Sequence, residues 1–448
     1  MRERTRKALA LLLVVAMALS LVPAAYAAPE DGSISLPFTA VADAQAPELR
    51  EPVEEMPPET PYDADETVRV SIVLEEPATL ERGYATAGIA SNGSATAYRS
   101  GLQKGQETMA QTISRQALSG ETLDVVWNLT LAANLISANV RYGDMEAIEA
   151  VPGVKEVILE TRYEPAVYAT GEASPNMATS GQMIGTSAAY AAGYNGAGMR
   201  IAVIDTGTDT DHKSFDAAAF DYALAEDEKI SGKTYDLLDA AEIGSVLVQL
   251  NAYKRTLQNG RPTASTPTAE KLYGTTKLPY NYNYVDGDFD VTHDNDTEGE
   301  HGSHVAGIAT ANRYVKTEDG FTSALDAVKV QGVAPDAQLI TMKVFGKNGG
   351  AYDSDYMAAI EDAILLGCDV VNLSLGSSNA GMTTNSTYQS LLDSLAETDT
   401  VVTISAGNNG YWAENSRSVA GTLYGDDVNF HTGGSVSYTH LRAHETLA

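Results

Sequence analysis

The sequence predicts an α/β fold, a doubly wound parallel sheet in the second half of the chain, preceded by a small α+β unit. Short apolar runs at 201–204, 339–344, 370–373 and 401–404 have the look of strands buried on both faces. Helical patterns at 355–366, stopped by Gly367, and at 387–397 lie among them, and this alternation specifies parallel pairing. The first half has a different rhythm, in which strand-like runs come with helical stretches. In doubly wound sheets the chemistry sits beyond the carboxyl ends of the strands.

At the N-terminus, Arg2, Arg4, Arg6 and Lys7 precede an apolar run over 8–22, closed by Ala25-Tyr26-Ala27. A charged segment, an apolar segment and a small-x-small site read as a signal peptide over 1–27. A membrane anchor is the competing reading, but the run is short and Pro23 ends it. Residues 28–65 are rich in Pro, Glu, Asp and Ala, too polar to offset their ordering entropy, and read as a disordered linker. The α+β unit spans 66–163, with strands at 68–74, 133–142 and 154–160. Its helices fall at 103–119 and at 144–150, the second stopped by Pro152-Gly153. A Thr/Ser/Gly/Ala-rich segment over 161–182 separates it from the α/β domain at 184–435, where 222–280 is an insertion without an assignable pattern.

Composition narrows the function. Among 448 residues, 60 Asp and Glu against 29 Lys and Arg give a net charge of −31. Phosphate contacts require the opposite sign, so no nucleic-acid partner is expected. One cysteine, Cys368, excludes an internal disulfide framework and a Cys-rich zinc site, and its place between a helix and an apolar run reads as core. The 23 Tyr against 2 Trp suit extended surface loops.

Three constellations carry chemistry. Ile201-Ala202-Val203-Ile204-Asp205-Thr206-Gly207 puts a carboxylate at the carboxyl end of a buried strand. Asp-Thr-Gly also occurs in aspartic proteases, where two carboxylates share a proton, but the chain has no second copy. His301-Gly302-Ser303-His304-Val305-Ala306-Gly307 opens a helix with a His backed by small residues, which lets the ring face a carboxylate. His301 and His304 as a metal pair is disfavoured, because the Glu of a zinc-protease helix is missing. Asn408, in Ser405-Ala406-Gly407-Asn408-Asn409-Gly410, can aim an amide N–H at an oxygen gaining charge. A turn is the alternative for that segment. Asp286, Asp288, Asp290, Asp294, Asp296, Glu298 and Glu300 crowd one loop that suits Ca2+, with a solvated acidic loop as the rival.

Together these motifs resemble the subtilisin-like serine proteases, the subtilases. Gly332-Val333-Ala334-Pro335-Asp336-Ala337, Lys343-Val344 and Asp369-Val370-Val371-Asn372-Leu373-Ser374-Leu375-Gly376 look like further landmarks of that family in the expected order. The resemblance covers 184–410, and 66–163 looks like the family's inhibitory propeptide. The insertion and 277–293 look most like the cell-envelope, lactocepin-type branch.

The resemblance implies a secreted endopeptidase precursor, cell-envelope associated when full length, acting on protein or peptide substrates with no cofactor required. Asp205 would orient and stabilise the imidazolium, and His301 would serve as general base and then acid. Asn408 would donate to the oxyanion, and Ser374, Leu375 and Gly376 would pair with substrate backbone as an added strand. The propeptide would be an intramolecular inhibitor, released by cleavage within 161–182.

The family order is Asp, His, Ser, yet no Gly-Thr-Ser-x-Ala-x-Pro follows Asn408. Gly185-Thr186-Ser187 precedes Asp205 and opens a helix, so Ser187 is rejected as the nucleophile. Residues 436–448, beginning Val436-Ser437-Tyr438-Thr439-His440-Leu441-Arg442, resemble a translated sequencing-library adapter, and they hold two of the seven His. The expectation is a fragment with a C-terminally truncated, incomplete sheet and no activity of its own. Its rival is a non-catalytic exported peptide-binding pseudoprotease of the same fold.

Overall fold

Strand β1, Thr67–Leu74, alternates at its start and is buried throughout its second half, because something covers both faces there. In the computed structural model the described residues are 62–163, 181, 183–258, 260–294, 296, 299–347, 349–374, 395 and 398–404. The signal-peptide segment, most of the linker, all but Leu395 of the helix expected at 387–397, and the adapter-like tail lie outside them.

The first half of the chain folds as α+β. After β1 come α1 (Gly93–Gln116), β2 (Asp124–Leu129), β3 (Leu135–Arg141), α2 (Met145–Glu149) and β4 (Val154–Leu159). The sheet is antiparallel in the order β2-β3-β1-β4. One face packs Val70, Ile72, Ile136 and Ala138 against Ile113 of α1 and Ile148 of α2.

Two details depart from the sequence reading. Helix α1 begins at Gly93 rather than near 103, since the Asn92 side chain accepts from the amides of Ser94 (3.1 Å) and Ala95 (3.2 Å). Its buried stripe is Ala95, Arg99, Leu102, Gln106 and Ile113, and the two polar members hide it from a hydrophobic count. Strand β2 is absent from the expected set.

Residues expected to begin the separator continue the structure instead. Strand β5, Arg162–Tyr163, pairs antiparallel with a distant strand of the second half, Ala351–Tyr352. The segment 164–180 lies outside the described residues.

The second half runs α3 (Thr186–Ala191), β6 (Arg200–Asp205), α4 (Ala217–Ser231), α5 (Ala240–Val246), α6 (Asn251–Lys254), α7 (Ala269–Leu272) and β7 (Tyr280–Asn283). Then follow α8 (His301–Thr310), the hairpin β8 (Tyr314–Thr317) and β9 (Gly320–Ser323), and α9 (Ala324–Ala327). Finally come β10 (Gln338–Lys343), the short β11 (Ala351–Tyr352), α10 (Asp353–Leu365), β12 (Val370–Leu373) and β13 (Val401–Ile404). The main sheet has the order β13-β12-β6-β10-β7, and every pair in it is parallel.

The unassigned 222–280 insertion thus holds the rest of α4, three short helices and the start of β7. The tyrosines at and just beyond its end are core residues, not surface ones. Tyr280, Tyr282 and Tyr284 are fully buried, with hydroxyls on Tyr284, the Ala252 carbonyl and Asp362 respectively.

Every residue of α10 is buried, because its outer side receives the α+β unit. Trp127 Nε1 donates to Asp355 (2.8 Å), and the amides of Leu131 (2.7 Å) and Ala132 (2.9 Å) donate to Glu361. In the other direction, Glu160 of the α+β unit accepts from the amide and hydroxyl of Ser354 in the first turn of α10. There the carboxylate satisfies an otherwise unpaired helix amide and faces the positive end of the helix dipole. Ser71 and Ser137 also donate to Glu160, which explains small polar residues on the covered sheet face.

Asp353 accepts from the Thr161 amide (2.6 Å) and from the hydroxyls of Tyr163 and Tyr356. Burial first, and the Glu160 charge second, push its carboxyl up to about 7. Glu160 is raised too, by burial and then by Asp355, with Arg69 opposing. The packed state therefore holds protons that an undocked, solvated Asp353 and Glu160 would release. Its stability is greatest in acid and falls as pH rises from the ordinary carboxylate range, about 4, through 7. Protection of the Leu131 and Ala132 amides against hydrogen exchange, relative to an unstructured amide at the same pH, is expected to be lower at pH 8 than at pH 5. Asp353→Asn, which keeps an acceptor oxygen but cannot ionise, should flatten that dependence.

Candidate active site

Strand β6 ends on Asp205, at the carboxyl edge of the parallel sheet where the chain must turn away. Asp205 is 1% exposed, and its Oδ1 accepts from the Thr206 amide (2.7 Å). Helix α8 begins on His301, which is 6% exposed, and its Nδ1 lies 2.6 Å from the same Asp205 oxygen. With the proton on Nδ1, the lone pair of the imidazole is on Nε2. Asp205 Oδ2 is buried with no hydrogen-bond partner among the described residues.

Glycines make this approach close enough. Gly207 has φ +115, and a Cβ there would meet the Val291 carbonyl. A Cβ at Gly302 would collide with the Gly207 carbonyl oxygen. Thr206 Oγ1 then ties the two segments by accepting from the Gly302 amide (2.9 Å). The Gly in each motif is a packing requirement between motifs 96 residues apart.

Of the other expected site residues, Ser374 follows β12, whose Leu373 is in register with Ile204, the residue before Asp205. It therefore lies at the same edge of the sheet, and its hydroxyl donates to Asn372 Oδ1 (2.9 Å). Leu375, Gly376 and Asn408 lie outside the described residues. Ser187 is exposed on α3, a helix held by the Tyr190 hydroxyl donating to the carbonyls of Gly332 and Val333.

Of the acidic loop, Glu298 lies outside the described residues. Asp286 accepts from Asn283 and the Lys347 amide, Asp290 accepts from Thr292, and Asp296 pairs with Lys343. No three acidic, His or Cys side chains converge among the described residues.

Residues that the motifs did not single out for the site also surround it. Ser303 Oγ accepts from the Asp209 amide (2.7 Å) and contacts His293 Nε2 (2.8 Å). Lys343, the last residue of β10, stands in register with Asp205. A lone Lys ending an apolar strand was the available signal for it.

The Subtilase family profile matches residues 196–431, more than half of the chain. A PII-type proteinase of Lacticaseibacillus paracasei is 31% identical over 295 residues, covering 65% of this chain and 13% of that protein. The minor extracellular protease Vpr of Bacillus subtilis is 27% identical over 257 residues, covering 56% of this chain and 23% of that protein. The solved epidermin leader peptide processing serine protease of Staphylococcus aureus is 16% identical, with a TM-score of 0.41, covering 77% of this chain and 61% of that one. The chain thus spans a small part of the length of the curated relatives it matches. PI-type and PII-type proteinases among the relatives accord with the lactocepin-type resemblance of the chain. With a buried Asp–His pair at the edge of a parallel sheet and a family match across it, the chain belongs to the subtilase family of serine-type endopeptidases.

Proposed function

We propose that the chain is part of a secreted subtilisin-like endopeptidase precursor that hydrolyses peptide bonds by an Asp-His-Ser triad. The observation carrying this is the 2.6 Å contact of His301 Nδ1 with buried Asp205 at the carboxyl edge of the sheet. His301 takes the proton of a serine hydroxyl as it attacks the scissile carbonyl, and then delivers it to the leaving amine. Asp205 holds the tautomer and stabilises the imidazolium, while Asn408 donates to the oxyanion. Ser374, Leu375 and Gly376 bind substrate backbone as an added strand. The serine is the one triad member that the 448 residues do not carry in the family's motif.

Residues 66–163 are proposed as the intramolecular inhibitor, supported by their burial of α10 and the pairing of β5 with β11. Residues 1–27 would direct export. A serine-reactive fluorophosphonate probe tests the reading. The 448-residue chain should stay unlabelled, and a protein continued through Gly-Thr-Ser-x-Ala-x-Pro should be labelled at that Ser. Labelling of the 448-residue chain that Ser187→Ala abolishes would reverse the assignment. A natural reading frame without the motif, in a protein that binds peptides uncut, would establish the pseudoprotease instead.

A further inference from the structure

Strand β10, QLITMK, is buried along its whole length, and it ends on a charged residue. Lys343 is 1% exposed, and an ammonium so buried is costly unless it is paired and hydrogen-bonded. It has both. Its Nζ lies 2.5 Å from Asp296 Oδ2, with both side chains 2% exposed, and it donates to the carbonyl of Thr206.

These partners belong to the two segments that must meet for the Asp–His pair to exist. Thr206 follows Asp205, and Asp296 lies five residues before His301. The β10 backbone joins the same knot, since the Val344 amide donates to the Asp205 carbonyl (3.0 Å). A second tie is built from neutral groups. The Thr208 amide donates to the Val291 carbonyl (2.8 Å), and Ser303 links the Asp209 amide to His293. Burial first and the nearby Lys343 charge second lower the His293 pKa, so that ring stays neutral in the second tie.

We propose that Lys343 is a positioning residue for the catalytic pair: its buried ammonium clamps the Thr206 carbonyl to the Asp296 carboxylate and so sets the distance between Asp205 and His301. Lys343 touches no reacting atom. A lysine suits the task because its compact charge offers three donors that reach acceptors on separate segments. In a site closed to solvent, salt screens its attraction for Asp296 little.

This inference rests on the Asp205–His301 reading, and one experiment separates the two. The proton shared by His301 Nδ1 and Asp205 gives a far-downfield proton resonance, assigned with 15N-labelled histidine in the 448-residue chain. The resonance should be present in the unmodified chain and lost in Lys343→Met. The control is Lys277→Met, which removes another fully buried lysine, one whose Nζ holds the carbonyls of Pro335 and Ala337. That variant should keep the resonance despite a comparable loss of stability. Should Lys343→Met not fold, Asp296→Asn carries the test, because its amide oxygen still accepts from the ammonium while the charge is gone. There the resonance should broaden or vanish.

An unchanged resonance in folded Lys343→Met, or in Asp296→Asn where that variant carries the test, overturns the positioning role. Its equal loss in Lys277→Met would reduce the effect to general destabilisation and overturns the role as well. Absence from the unmodified chain would remove the Asp205–His301 reading together with it.

Discussion

Replacing Asp205 by Asn, in a protein that carries the complete triad, should lower turnover by about 10⁴-fold with little change in KM, the magnitude seen when other triad carboxylates are neutralised. Asp205 Oδ1 accepts from both the Thr206 amide and His301 Nδ1. An Asn whose oxygen stays on both donors carries no charge to stabilise the imidazolium, and one that turns its NH2 to the imidazole reverses that hydrogen bond. Nδ1 then becomes the acceptor, and the proton moves to Nε2, the nitrogen that has to take the serine proton. Volume and burial hardly change, so the fold should survive. Steady-state kinetics of both proteins check this, and a loss under tenfold would mean that His301 is not oriented by Asp205.

Replacing Glu361 by Ala should release the α+β unit from the α/β domain, at a cost of about 2–5 kcal/mol. Glu361 is 1% exposed and accepts from the amides of Thr130 (3.3 Å), Leu131 (2.7 Å) and Ala132 (2.9 Å), and from Asn251 Nδ2 (3.1 Å). Truncation leaves three buried backbone donors of the α+β unit without an acceptor, and alanine offers none in return. Equilibrium denaturation should show the unit melting separately, and limited proteolysis should cut near 130–132 in the variant first. Glu361→Gln keeps one acceptor oxygen and should lie between. Cooperative unfolding as one block in Glu361→Ala would show that apolar packing, not this carboxylate, holds the two halves together.

Much of the site was legible because its chemistry is local. Asp205 ends an apolar strand and His301 opens a run of small residues, so each announces itself within a few positions. Their glycines were legible as motif members, but their reason was not. Gly302 must be glycine because of Gly207, a residue 95 positions earlier. Lys343 stood in a family landmark without a role, since its partners Thr206 and Asp296 are 137 and 47 positions away.

The fold divides the same way. Strands β6, β10, β12 and β13 follow from apolar runs, and their parallel pairing follows from the intervening helices. Strand β7 did not, for its YNYN sequence hides buried tyrosines whose hydroxyls find partners only in the folded state. Helix α1 was read short because Arg99 and Gln106 occupy its buried stripe. Gln106 donates to the Leu129 and Leu135 carbonyls, and Arg99 donates to the Gln249 carbonyl.

By itself the sequence determined which residues are reactive, which strands are buried and which family the motifs resemble, because backbone propensity and hydrophobic burial act over a few neighbouring positions. Only the tertiary structure decided that Asp205 and His301 share a short bond, that Lys343 clamps the segments bearing them, and that Glu160, Asp353 and Glu361 are buried where two halves of the chain meet. Each of those is a polar group whose desolvation is tolerable solely because a partner distant in sequence arrives to satisfy it. No local pattern encodes such a partner.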